Sequence, residues 1–126
     1  MESVNWAVHV DVASGPKLSA ADTITVEAYD KVSLTLDANA SNVSVDLQPG
    51  TAGQIKLLLI TASAYDADVT YSADAGTTKV PLDAPLVLVG GGAVGLLQAD
   101  PTTLQWDNGT ADPVAIQIFV GRDATP

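Results

Sequence analysis

The sequence has 126 residues, no cysteine and a single histidine, and its 5 Lys plus Arg stand against 15 Asp plus Glu. Each shortage excludes something. Without cysteine there is no disulfide scaffold, no thiolate zinc site and no thiol nucleophile. The one histidine, His9, lies between Val8 and Val10 on the polar side of an alternating segment. Alone it builds no metal site, and no neighbouring nucleophile or orienting acid makes it a general base, so it reads as an exposed side chain. The formal net charge is -10 and the isoelectric point about 4.1. With no basic stripe, phosphate backbones and anionic lipid surfaces repel the chain, so neither nucleic acid nor membrane is an expected partner. Apolar runs are also short: Ile55 to Ile60 and Leu86 to Val89 fall well below the roughly 20 residues of a membrane-crossing helix. Met1-Glu2-Ser3-Val4-Asn5-Trp6 passes straight into a strand pattern, so the sequence reads as lacking a secretory signal and as soluble.

What is present is a core-forming composition, 47% hydrophobic, in a length that suits one domain spanning 1–126. Its periodicity is two. Val4, Trp6, Val8, Val10 and Val12 take every second position, and the same period returns in Ile24, Val26 and Ala28, in Val32, Leu34 and Leu36, and in Val43, Val45 and Leu47. Such alternation places one face against a core and the other in water. Ser14-Gly15-Pro16, Tyr29-Asp30-Lys31, Asp37 to Asn42 and Gln48-Pro49-Gly50 supply the turn residues between them. The denser run Ile55-Lys56-Leu57-Leu58-Leu59-Ile60 predicts a central strand covered on both faces. Further strands are expected at Val69 to Ser72, Thr77 to Val80, Leu86 to Val89, Ala93 to Gln98, Thr103 to Trp106 and Val114 to Val120. The turns between them are Asp74-Ala75-Gly76, Gly90-Gly91-Gly92, Asp100-Pro101 and Asp107-Asn108-Gly109. Many short strands without helical period predict an all-β, antiparallel β-sandwich, with the jelly roll as the arrangement suggested; residues from about 121 are expected to fray.

The motifs that carry chemistry elsewhere are incomplete here. Gly90-Gly91-Gly92-Ala93-Val94-Gly95 fits the dinucleotide-binding spacing, yet Leu96 to Pro101 leaves no room for the helix whose N-terminus must face a pyrophosphate, so a glycine turn is expected and no cofactor. Asp66, Asp68 and Asp74 lack the order of a calcium loop and read as solvated carboxylates discouraging edge pairing, with no metal. Fifteen acids offer carboxylate pairs by chance, so no catalytic residue is assigned and no enzyme activity is expected. Trp6 and Phe119, on strand faces shared with Val and Ile, are expected in the core. Trp106, beside the Asp107-Asn108-Gly109 turn, is the ring best placed for an exposed contact, and Asn108 shares that turn. The acceptor sequences at Asn39, Asn42 and Asn108 mark exposed turns. Arg122, the only arginine, follows the last apolar strand and is a candidate for docking on a neighbouring subunit. Trp106, Asn108 and Arg122 are therefore the candidate partner contacts.

The helix-free, cysteine-free, acidic pattern, with Gly90-Gly91-Gly92, the Asn108-Gly109 turn and Val120-Gly121-Arg122-Asp123 closing a hydrophobic strand, resembles the small β-sandwich structural proteins of tailed bacteriophages, such as capsid decoration (cement) proteins. The resemblance implies a noncatalytic virion protein, made in the host cytoplasm and bound in many copies on a shell as dimers or trimers. It transfers no individual residue role. The other class compatible with the pattern is a carbohydrate-binding or adhesion β-sandwich, which requires exposed rings such as Trp106.

Overall fold

Alternating segments become strands here because each has an apolar side to bury, and among the described residues ten such strands fold into one two-layered body with a projecting arm. The computed structural model describes residues 2–47, 55–73, 78–97 and 103–123. In chain order the strands are β1 (Glu2–Asp11), β2 (Lys17–Val26), β3 (Ala28–Leu36), β4 (Val43–Asp46), β5 (Ile55–Ala62), β6 (Asp66–Ala73), β7 (Val80–Leu82), β8 (Leu86–Val89), β9 (Thr103–Asn108) and β10 (Val114–Arg122). A four-residue helix α1 (Gly91–Val94) runs into a 3-10 turn, Gly95–Leu97. Two antiparallel four-stranded sheets pack face to face. The front sheet has the order β3-β10-β5-β8 and the back sheet β4-β9-β6-β7, while among the described residues β1 and β2 pair only with each other. The fold is an all-β sandwich, as the alternation predicts.

The core lies between the sheets. From the front come Leu36, Leu58, Ile60, Val114, Ile116, Ile118 and Val120; from the back come Val69, Tyr71, Leu82, Leu104 and Trp106, all in one buried cluster. Register explains why these side chains meet: Ile118 opposes Ile60 on one side and Val32 on the other, so one pleat level of three strands faces inward together. At the end of the front sheet the ladder slips, since Gly121 opposes Leu57 but Arg122 opposes Ile55. Lys56 is the extra residue, and this bulge lets Ile55 as well as Leu58 turn inward.

Several boundaries differ from the sequence reading. Tyr29-Asp30-Lys31 is not a turn but the first part of β3; the break falls at Glu27, whose amide donates to the carbonyl of Arg122 at 3.0 Å. Neither Gly nor Pro marks that bend. Residues 93–97 do not form a strand. They lie after β8, and one helical turn there presses Val94 and Leu97 onto the core. Gly90 opens this segment at φ 93° with its amide donating to the Lys56 carbonyl at 2.7 Å, a conformation suited to glycine. Gly121 and Arg122 are not frayed but are strand residues paired on both sides. The expected turns at Gln48-Pro49-Gly50, Asp74-Ala75-Gly76 and Asp100-Pro101, together with Thr77 and Gln98, lie outside the described residues.

Candidate functional site

The three residues singled out from the sequence sit in different places. Trp106 is fully buried, at 0% exposure, with its ring tilted against that of Tyr71 at 5.2 Å between centroids. The exposure expected of it is therefore corrected: β9 alternates Leu104, Trp106 and Asn108 inward, and period two outweighs the neighbouring turn. Asn108 is also buried, and it ties the corners of the sandwich together. Its Nδ2 donates to the carbonyls of Leu36, Asp37 and Asp112 at 3.3, 3.1 and 2.9 Å. Its Oδ1 accepts from the amide and hydroxyl of Thr110 at 3.0 and 2.7 Å. A buried amide so fully engaged is structural, and it is no exposed glycan acceptor, whereas Asn39 and Asn42 are exposed, in the left-handed region. Arg122 is engaged within the chain, with Nη2 3.5 Å from Asp30 Oδ2 and its side chain 15% exposed.

Charge on the back sheet behaves as solvated charge. Asp107 accepts from Lys79 at 2.7 Å and from the Asn42 amide at 2.8 Å. The Lys79 contact, then the amide, hold its carboxyl below the usual carboxylate range. Burial pushes the Tyr71 phenol up. Asp66 and Asp68 are exposed, with Asp66 Oδ1 accepting the Asp68 amide at 2.8 Å. Among the described residues no cluster of three His, Asp or Glu is disposed to hold a metal ion.

The unusual surface is the outward face of the front sheet. Strand parity and register turn Tyr29, Lys31, Ser33 and Thr35 of β3 outward, beside Ala115, Gln117, Phe119 and Gly121 of β10. Leu57, Leu59 and Thr61 of β5 continue the same rows, which end in Val87 and Val89 of β8. In a chain with 15 acids the paired rows of this face hold none among the described residues, and their one charged side chain is Lys31; the ion pair of Lys56 with Asp123, at 2.8 Å, lies at the end of the same sheet. The ring of Tyr29 stacks on Phe119 at 5.7 Å. Phe119 is thus not in the core as its sequence neighbours suggested; it is half-buried on this outer face.

The arm of β1 and β2 stands over part of this face. Its ten registered pairs put Val4 with Ile24, Trp6 with Asp22, Val8 with Ala20 and Val10 with Leu18 on one side, and Asn5 with Thr23 and His9 with Ser19 on the other. The root is fixed by Val26, which is fully buried. A Cβ on Gly121 would come within 3.1 Å of the Val26 side chain and 3.4 Å of Leu57, so the glycine makes room for the arm to seat. Further along, Val4, Trp6 and Val8 form one wall of an open apolar cleft of about 350 Å³ whose other wall is Leu57, Leu59, Val87, Val89 and Phe119. Trp6 is accordingly half-buried at the cleft and does not join the sandwich core. Beyond the cleft nothing among the described residues covers the arm: Val10, Val12 and Leu18 are 50%, 51% and 71% exposed. A second groove, of about 330 Å³, lies beside Lys31, Leu59, Thr61, Gln117 and Phe119.

The sequence missed this site because period two tells which residues share a face and not what covers that face. A signal was nonetheless present: the run Ile55 to Ile60 has apolar residues on both parities, which is how a strand reads when its outer face is meant to be covered. The arrangement is an apolar platform whose paired rows hold no acid, with an amphipathic two-stranded arm beside it. No protein-family model matches the chain, and no curated protein is significantly similar to it.

Proposed function

We propose that this protein is a noncatalytic structural protein of a virion, a capsid decoration protein that fastens onto a shell through the front face and the arm. One observation carries the reading: a long β-arm, apolar on one side and half-exposed at its tip, projects beside a sheet face whose paired rows, among the described residues, hold no acid. Large exposed apolar surface on a small acidic protein marks a place of association. The strongly acidic remainder keeps particles and copies apart everywhere else. The strand orders β3-β10-β5-β8 and β4-β9-β6-β7 support a jelly roll, since they interleave two Greek keys into facing sheets, an arrangement used by viral capsid and lectin domains alike. The lectin side of that pair is weakened by the burial of Trp106, the ring on which a sugar-binding reading rested.

Sequencing the DNA that flanks the gene tests the proposal. Neighbours encoding a shell, portal or tail protein are the expected result, and cosedimentation with that shell would then locate the protein on it. Neighbours encoding secreted hydrolases or adhesins would overturn it and make the Tyr29 and Phe119 rings the first candidates for a sugar platform.

A further inference from the structure

We infer that the front face is where two copies of this chain meet, the arm of one lying on the platform of the other. The inference refines the assembly reading above by naming the surface and its occupant. Three features point to a second copy rather than to an unrelated protein. The first is complementarity of charge within one chain. On its apolar side the arm carries no cation, only Glu2 at the seated root opposite Val26 and Asp22 opposite Trp6, while the paired rows of the platform carry Lys31 as their one charge, so an arm laid along its whole length on a second copy's platform sets acid toward that lysine. The second is fit in character: the arm offers Val8, Val10 and Leu18, and the platform offers Leu59, Val87 and Phe119, with Val87 itself 46% exposed. Within one chain these surfaces meet only as far as Val8, where the cleft ends. The four residues beyond Val8, ending at Val12, extend the arm by roughly 13 Å more, far enough to reach a neighbour. The third is repulsion: at a net charge of -10, two copies oppose each other across most of their surface, and the front face is where they approach at least cost. An exchange in which each arm lies on the other's platform is self-complementary, so it closes as a dimer, or as a ring if the rotation differs.

Sedimentation equilibrium on the full-length protein tests the inference. The wild type is expected at twice the monomer mass or a small multiple; a monomer up to millimolar concentration overturns the pairing while leaving the gene-neighbour test of function untouched. The double variant V10D/L18D alters only exposed arm positions and is expected to keep the circular dichroism and melting temperature of the wild type while sedimenting as a monomer. An unchanged mass for this variant overturns the role of the arm. Lys31→Asp is expected to weaken association roughly tenfold by placing like charges across the contact, and D22K/K31D to recover most of it. A double variant no tighter than K31D overturns the proposed facing of Asp22 and Lys31.

Discussion

The two outward faces of the sandwich are built on the same pleat and the same number of strands, yet they are chemically opposite. On the back sheet, Ser44 opposes Gln105 and Asp46 opposes Thr103, and Thr70 opposes Asp107, so polar groups meet water as the alternation of a half-buried sheet requires. On the front sheet the equivalent rows hold Val89 beside Leu57 and Val87 beside Leu59, then Phe119 and Lys31. Sandwich packing demands one apolar face per sheet, and the front sheet has two. The surplus is what the arm begins to cover, and it is the surface on which the proposed association rests.

The difference can be sharpened by removing side chains from each part in turn. The largest effect belongs to the shared core: Trp106→Ala should cost about 3–5 kcal/mol by emptying the space against Tyr71, read by urea denaturation. Next, Leu57→Ala should cost about 2–4 kcal/mol because Leu57, although outward, is 5% exposed beneath the arm. Gln105→Ala, equally outward on the back sheet, should stay within about 0.5 kcal/mol. Equal costs for these two would erase the distinction between the faces. Gly121→Ala should cost about 1–3 kcal/mol through crowding of Val26 and Leu57, measured as a shift in melting temperature. Its proteolytic signature should be earlier cleavage within residues 12–16, the tip of a loosened arm.

The smallest effect is electrostatic and belongs to the back face. Because the folded-state pKa of Asp107 is depressed by Lys79 and by the Asn42 amide, its contribution is present above the ordinary carboxylate range, near pH 4. It is lost as pH falls through the lowered value. Lys79→Met should therefore flatten the acid limb of a stability curve slightly, in line with the at most about 1 kcal/mol of exposed ion pairs. Tyr71 works at the other limit: its pKa is raised by burial, so stability should decline as pH climbs past the ordinary tyrosine value near 10.

Much of this architecture was legible in the sequence. The alternation at Val32 to Leu36, Val43 to Leu47 and Val114 to Val120 places those strands, and the double-sided apolar run at Ile55 to Ile60 identifies a central strand. The Ser14-Gly15-Pro16 turn likewise falls where β1 reverses into β2, with the Gly15 amide donating to the Val12 carbonyl at 2.8 Å. The arm was not legible as an arm. Val4 to Val12 has the pattern of any core-facing strand, and only the tertiary arrangement shows that its partner among the described residues is β2 alone. Asn108 was hidden for the opposite reason, since Asn-Gly is a strong turn signal and the turn does exist, but the amide serves the corner from inside. Reading Leu104, Trp106 and Asn108 as one inward row would have placed both buried residues.

The absence of cysteine makes the central claim directly measurable. Val87→Cys labels the front face and Ser44→Cys the back, both at exposed positions, and the rate of alkylation of each can be followed as protein concentration rises. The account predicts that the thiol at position 87 becomes protected with concentration while the thiol at position 44 keeps its rate. Rates that stay equal for the two, or protection at position 44 alone, would contradict it.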